Sequence, residues 1–216
     1  MDYKILFIDE ESTQHDLFLD YFEKVCPEIV PKCEFPLPSV IEMLQLIEEL
    51  HPDAVVTDFR LNEKRVDFHY NVKYNGVELI NEIRGQRDGF PCFVITSHDD
   101  EAVNDTDDVN IVYIKDILNV DTDKAKVTFA ERITSQVDKY RSRIGNARKE
   151  LSSLIDKRHS GIANVQDEER IIELDSFLER TLDSYDSIPE QFKSLSNLER
   201  LNTLIGKVDE LLKKFE

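Results

Sequence analysis

Cysteine is scarce in this chain and falls in no recognisable pairing. The three thiols, Cys26, Cys33 and Cys92, are odd in number, and no two stand at CxxC spacing. That argues against a zinc ribbon or a dithiol redox motif and predicts reduced, partly buried side chains. No apolar run approaches the ~20 residues a helix needs to span a bilayer, so no membrane contact is expected. Met1-Asp2-Tyr3-Lys4-Ile5 runs straight into a strand-like segment and lacks the parts of a signal peptide, so a cytoplasmic location is expected. A Gly-rich phosphate loop and a nucleophile elbow are also missing. Positive charge is short where a nucleic acid would need it. Of the net −18, residues 1–120 carry 26 acids and 10 bases, a net of −16, and residues 121–216 carry 19 acids and 17 bases, a net of −2. The first part repels phosphate backbones and the second has no cationic excess, so no nucleic-acid partner is expected.

What is present is an ordinary globular mixture, 40% hydrophobic and 33% charged over 216 residues, enough for one large domain or two small ones. The first half alternates short apolar runs with amphipathic ones. Lys4–Ile8, Cys92–Ile95 and Ile111–Ile114 read as strands, Ala54–Thr57 as a buried one, and Lys32–Phe35 as a short one between prolines. Between them, Leu17, Phe18, Tyr21, Phe22 and Val25 recur at helical spacing, as do Val40, Met43, Leu44, Ile47 and Leu50 behind Ser39. Val77 to Ile83 is a third helix, preceded by Gly76. Alternating units of this kind predict an α/β fold with a five-stranded parallel sheet, doubly wound in the flavodoxin-like manner.

The second half has no strand pattern. Ala130, Ile133, Val137, Tyr140, Ile144, Ala147, Leu151 and Leu154 form a heptad stripe that ends before Gly161. Ile171, Leu174, Leu178, Leu182 and Tyr185 form a second stripe. Leu198, Leu201, Ile205, Val208 and Leu212 form a third, behind a Ser196/Glu199 capping box. The expected organisation is an α/β domain over 1–138 and an all-α bundle or hairpin over 139–216, with the first of these helices continuous with the last helix of the α/β domain. The acid-free basic stretch Lys139, Arg141, Arg143, Arg148 and Lys149 reads as a solvated flank, and His159 as a helix-end histidine.

Sites in parallel α/β sheets form at the carboxyl ends of the strands. Asp9, Glu10, Asp58, Thr96 and Lys115 each end or directly follow an apolar run, so all five can converge on one crevice. Three carboxylates together repel one another and need a cation to stay ionised. Carboxylates and waters around a hard divalent ion form the Mg²⁺ pattern. Lys115 supplies a point charge for a phosphoryl oxygen and Thr96 a hydroxyl donor, which leaves Asp58 as the nucleophile that forms an acyl phosphate.

This ordered set resembles the receiver (CheY-like) domain of response regulators, from about Lys4 to the helix after Lys115. Asn75-Gly76-Val77-Glu78-Leu79-Ile80 also matches the segment that opens that family's third helix. The resemblance implies that Glu10, Asp58 and the Arg60 carbonyl ligate Mg²⁺ directly and that Asp9 acts through water. It implies a receiver that catalyses only its own phosphorylation and dephosphorylation, with a sensor histidine kinase or phosphotransfer protein as donor. Output is expected through the C-terminal helices, by contact with a partner protein or by dimerisation. The alternatives are a phosphoryl sink or relay without output, and a scaffold with a silent receiver.

The chain departs from the family in several places. Glu10 replaces a commoner Asp, and Asp116 replaces the Pro that usually follows the lysine. The stretch from Asp58 to Gly76 is longer than usual by about ten residues and reads as an exposed loop or small hairpin, with a lid or partner-contact element as the functional alternative. Acids crowd the segment between Thr96 and Lys115, so the helix usually found there is expected to be short or missing. Val112 occupies the position of the family's switch aromatic, with Tyr113 one place off. Arg60 and His98 take the variable positions that tune dephosphorylation in the family.

Overall fold

The computed structural model describes residues 2–63, 70–97, 108–118 and 127–182. Five strands, β1 (Tyr3–Ile8), β2 (Ile29–Glu34), β3 (Ala54–Asp58), β4 (Cys92–Thr96) and β5 (Val112–Ile114), form one parallel sheet in the order β2-β1-β3-β4-β5. The helices are α1 (Ser12–Val25), α2 (Val40–Leu50), α3 (Gly76–Gln86), α4 (Phe129–His159) and α5 (Val165–Leu182). The chain divides into two compact units, one of residues 1–85 and 89–141, the other of 86–88 and 142–216.

In the first unit β1, β3 and β4 read as continuous apolar runs because both of their faces are covered. Leu6, Ile8, Val55, Cys92 and Val94 join Met43 and Ile47 of α2 and Val77, Ile80 and Ile83 of α3 in one core. Ile5, Phe7, Ala54, Val56, Phe93 and Ile95 join Phe18, Tyr21 and Phe22 of α1 and Phe129, Ala130, Ile133 and Val137 of α4 in the other. This is the expected doubly wound architecture. Two details differ from the sequence reading. β2 starts earlier, at Ile29, and carries Pro31; a strand at the sheet edge tolerates a missing N–H. Leu17, assigned to the buried stripe of α1, is 54% exposed, because Phe18, Tyr21 and Phe22 already fill the face toward the sheet.

α2 opens with a full capping box, Ser39 accepting from the Glu42 amide and Glu42 accepting from the Ser39 amide. Ile111, read as part of the fifth strand, belongs to a 3₁₀ turn, Val109–Ile111, just before it. The helix expected to be short or missing after Thr96 falls on 98–107, outside the described residues. His98 lies there too.

The described residues of the second unit include an antiparallel helical pair. Lys157 meets Asp167, Arg158 meets Glu168 and Arg170 meets Glu150, so the partners approach the chain reversal from both sides. Gly161, at φ +71, takes the left-handed turn just past α4. Ile144, Ala147 and Leu154 are buried, as are Ile171, Leu174 and Leu178. That part of the heptad stripe is therefore buried within a single chain. α4 is one helix of 31 residues, as its unbroken periodicity predicts. The third stripe, 198–212, lies outside the described residues. Among those described, no helix is long and apolar enough to cross a membrane.

Candidate functional site

The carboxyl ends of β1, β3, β4 and β5 bring the predicted residues together. Asp9 and Glu10 follow β1, Asp58 ends β3, Thr96 ends β4 and Lys115 follows β5. Register sets their level, since Ile8 pairs with Thr57, Asp58 with Ile95 and Thr96 with Ile114. Asp9, Glu10, Asp58 and Thr96 are all buried. Lys115 Nζ lies 2.7 Å from Asp58 Oδ1 and 3.0 Å from Asp9 Oδ2. The other Asp58 oxygen, Oδ2, accepts from the Arg60 amide at 2.6 Å. The other Asp9 oxygen, Oδ1, accepts from the Glu11 amide at 2.8 Å. Both aspartates are thus held by donors on either side.

The electrostatics follow from three carboxylates facing one ammonium. Burial opposes the charge on Lys115, but Asp58 and Asp9 outweigh it and hold its pKa above the ordinary lysine value. Glu10 is pushed up to about 7 by burial, then by the charges of Asp9 and Asp58, with only partial relief from a backbone hydrogen bond and Lys115. One oxygen from each of Asp9, Glu10 and Asp58 lies within 4.8 Å of the other two. A hard divalent cation fits this donor set, all oxygen and over-supplied with negative charge. The expected fourth ligand, the Arg60 carbonyl, accepts from the Glu63 amide at 3.2 Å; a carbonyl has a second lone pair for another partner. The Arg60 side chain pairs with Glu63.

A cleft of about 150 Å³ opens on this group, with Asp58, Glu10, Thr96 and Lys115 in its wall. Sequence reasoning missed Glu11, Gln14, Glu63 and Ser97, which also line it. Glu11 and Gln14 were legible as the first residues after the end of β1; Glu63 carried no such signal. It also missed His15, whose Nε2 lies 2.9 Å from the Asp9 carbonyl; burial lowers its pKa against that contact. Without a following Pro, Lys115 leads straight into a 3₁₀ turn, Lys115–Leu118, which buries Leu118.

A parallel sheet in the order 2-1-3-4-5 with carboxylates gathered at its carboxyl edge decides the fold. The chain has the flavodoxin-like fold, which receiver domains share. No protein-family model and no curated protein sequence matches it. Among solved structures, the non-phosphorylated receiver domain of RcsB from Escherichia coli aligns at 16% identity, over 58% of this chain and 90% of that one, with a TM-score of 0.43. The anti-anti-sigma factor PhyR from Bartonella quintana aligns at 13%, over 68% and 52%, with a TM-score of 0.41. An RcsB–DNA complex aligns at 15%, over 84% and 92%, with a TM-score of 0.41.

One expectation is corrected here. Nucleic acid was excluded as a partner on charge balance, yet the structures similar to this chain include RcsB bound to DNA. The exclusion is withdrawn. Its physical weakness is that a net charge averages over a whole segment, whereas a phosphate contact needs only a local face. Arg143, Arg148 and Lys149 are exposed on α4 within a segment whose sum is near zero.

Proposed function

We propose that the chain is a phosphorylation-activated response regulator that takes a phosphoryl group on Asp58 with Mg²⁺ bound beside it. The observation that carries this reading is the meeting of Asp58 with Asp9, Glu10 and Lys115 in one buried cluster that opens to a cleft. An oxygen of Asp58 attacks the phosphorus of the donor. The Asp58 O–P bond forms as the bond to the donor's leaving group breaks, and the electron pair departs with that group. Lys115 neutralises charge on the transferred group, and Thr96, at the end of β4, offers a hydroxyl to another of its oxygens. Asp9, Glu10 and Asp58 would hold the cation, which would supply further neutralisation when bound. Attack by water on the same phosphorus returns the carboxylate and releases phosphate, so the chain acts only on itself. We assign output to the C-terminal helices, because α4 starts at Phe129, in the core that α1 shares with the sheet, and is one helix as far as His159.

The test is incubation with Mg²⁺ and a small acyl phosphate. Wild type is expected to gain acid-labile phosphate and Asp58→Asn none. Equal labelling of both, or labelling of neither, overturns the proposal.

A further inference from the structure

The loop after Asp58 leaves the acceptor and comes back to it. The Gly76 amide donates to the Phe59 carbonyl at 2.8 Å. A Cβ on Gly76 would stand 2.0 Å from the Asp58 carbonyl oxygen and 2.9 Å from Thr57 Cγ2, so α3 begins in direct contact with the backbone of the acceptor. Two residues before Gly76, the buried Tyr74 donates its hydroxyl to the Leu37 carbonyl at 2.9 Å. Tyr70 donates to the preceding carbonyl, that of Pro36, at 3.0 Å. The receiving segment is stiff. Pro36 and Pro38 flank Leu37, fix their own φ and offer no N–H to competing partners. Leu37 itself packs on the same core as Tyr74. Ser39, the N-cap of α2, follows directly.

We infer that Tyr70 and Tyr74 form a clasp that carries the state of Asp58 to the Pro36–Leu37 segment and the start of α2. The inference rests on Asp58 being the acceptor. Either oxygen that receives the phosphoryl group becomes a bridging oxygen and a poorer hydrogen-bond acceptor. The contacts of Arg60 N–H on Oδ2 and of Lys115 on Oδ1 then redistribute toward the phosphoryl oxygens. A displacement of the Asp58 backbone meets Gly76 without clearance, and Gly76 is tied to Phe59 and, through Asn75, to Tyr74. The movement reaches Leu37 through a buried phenol held at both ends. This route bypasses Val112, which cannot serve as an aromatic switch.

Amide hydrogen exchange tests the clasp, read by mass spectrometry on the full chain in Mg²⁺, with and without acetyl phosphate. Phosphate stoichiometry is measured on the same samples. In phosphorylated wild type, exchange across residues 37–42 is expected to change by about three- to tenfold, the factor one neutral hydrogen bond supports. In Tyr70→Phe/Tyr74→Phe, phosphate uptake and the change at 59–63 are expected to persist while the change at 37–42 disappears. Tyr74→Phe alone is expected to lose most of it, and this single change keeps the buried ring in place. A phosphorylated wild type with 37–42 unchanged, or a double variant that responds as wild type does, overturns the clasp. Failure of wild type to take up phosphate overturns the acceptor assignment and the clasp with it, and the stoichiometry tells that case from the others.

Discussion

Glu10 is where the electrostatics of the site bear most directly on stability. Its folded pKa, about 7, lies above the ordinary value of 4.5, so the fold favours its protonated form. The sign follows from proton linkage: between about pH 4.5 and 7 the folded chain binds the extra proton, and stability falls as pH rises through that window. In chelator, the urea midpoint of wild type is expected to drop across this range, while Glu10→Gln, which cannot ionise, stays flatter. The same proton competes with a cation, so Mg²⁺ affinity measured by calorimetry is expected to rise from pH 6 to 8 in wild type. A pH-independent affinity would remove Glu10 from the ligand set. Gly76 makes the steric case. Gly76→Ala drives a methyl into a backbone oxygen 2.0 Å away, with no flexible side chain to yield. The expected cost is about 1–3 kcal/mol in urea denaturation, with a larger fractional loss in the rate of phosphate uptake because Asp58 itself must shift. The charged residues of the site were legible in the sequence, since each follows an apolar strand. The role of Gly76 was not, because it arises from a loop closing in space and leaves no periodic trace.

Elements were legible wherever both faces of a strand or one face of a helix are buried, and less so at edges. β2 carries Pro31 and was read too short. β5 spans only Val112–Ile114, and its period of two decides what its aromatic does. Val112 packs on the α2–α3 side and Tyr113 on the α1–α4 side. The Tyr113 ring lies 5.2 Å from that of Phe129 and 6.0 Å from that of Phe93, with the Arg132 guanidinium 5.8 Å from its centroid. The aromatic of this strand therefore lies on the face that seats α4, and the face toward α2 and α3 carries Val112. Tyr113→Ala is expected to cost about 2 kcal/mol in urea denaturation, below the 3–5 typical of a fully buried aromatic because this ring is half-exposed. Phosphate uptake on Asp58 is expected to stay close to that of wild type, because Tyr113 packs against Phe93, Phe129 and Arg132 and does not line the cleft. A large fall in uptake would return Tyr113 to the signalling path.

Across the whole molecule the charge is lopsided, with a net of −16 in residues 1–120, and three of those acids are packed together at the site. Self-repulsion of this kind weakens a compact state and is relieved by screening. Two responses to added ions should therefore separate. NaCl screens the diffuse charge and is expected to raise the thermal midpoint gradually, without saturating. Mg²⁺ at matched ionic strength binds the folded chain at one place, so its effect saturates. At a hundredfold excess over its dissociation constant it adds about 2.7 kcal/mol, a rise of roughly 10 °C for a domain of this size. Asp9→Asn/Glu10→Gln keeps the gradual NaCl response, because a change of two charges leaves the diffuse field nearly intact. It loses the saturable one, because only Asp58 remains of the three carboxylates. If the double variant kept a saturable rise in midpoint with Mg²⁺, the cation would be bound elsewhere on this acidic surface, and the cluster at the strand ends would be an electrostatic burden offset by Lys115 and the Arg60 and Glu11 amides.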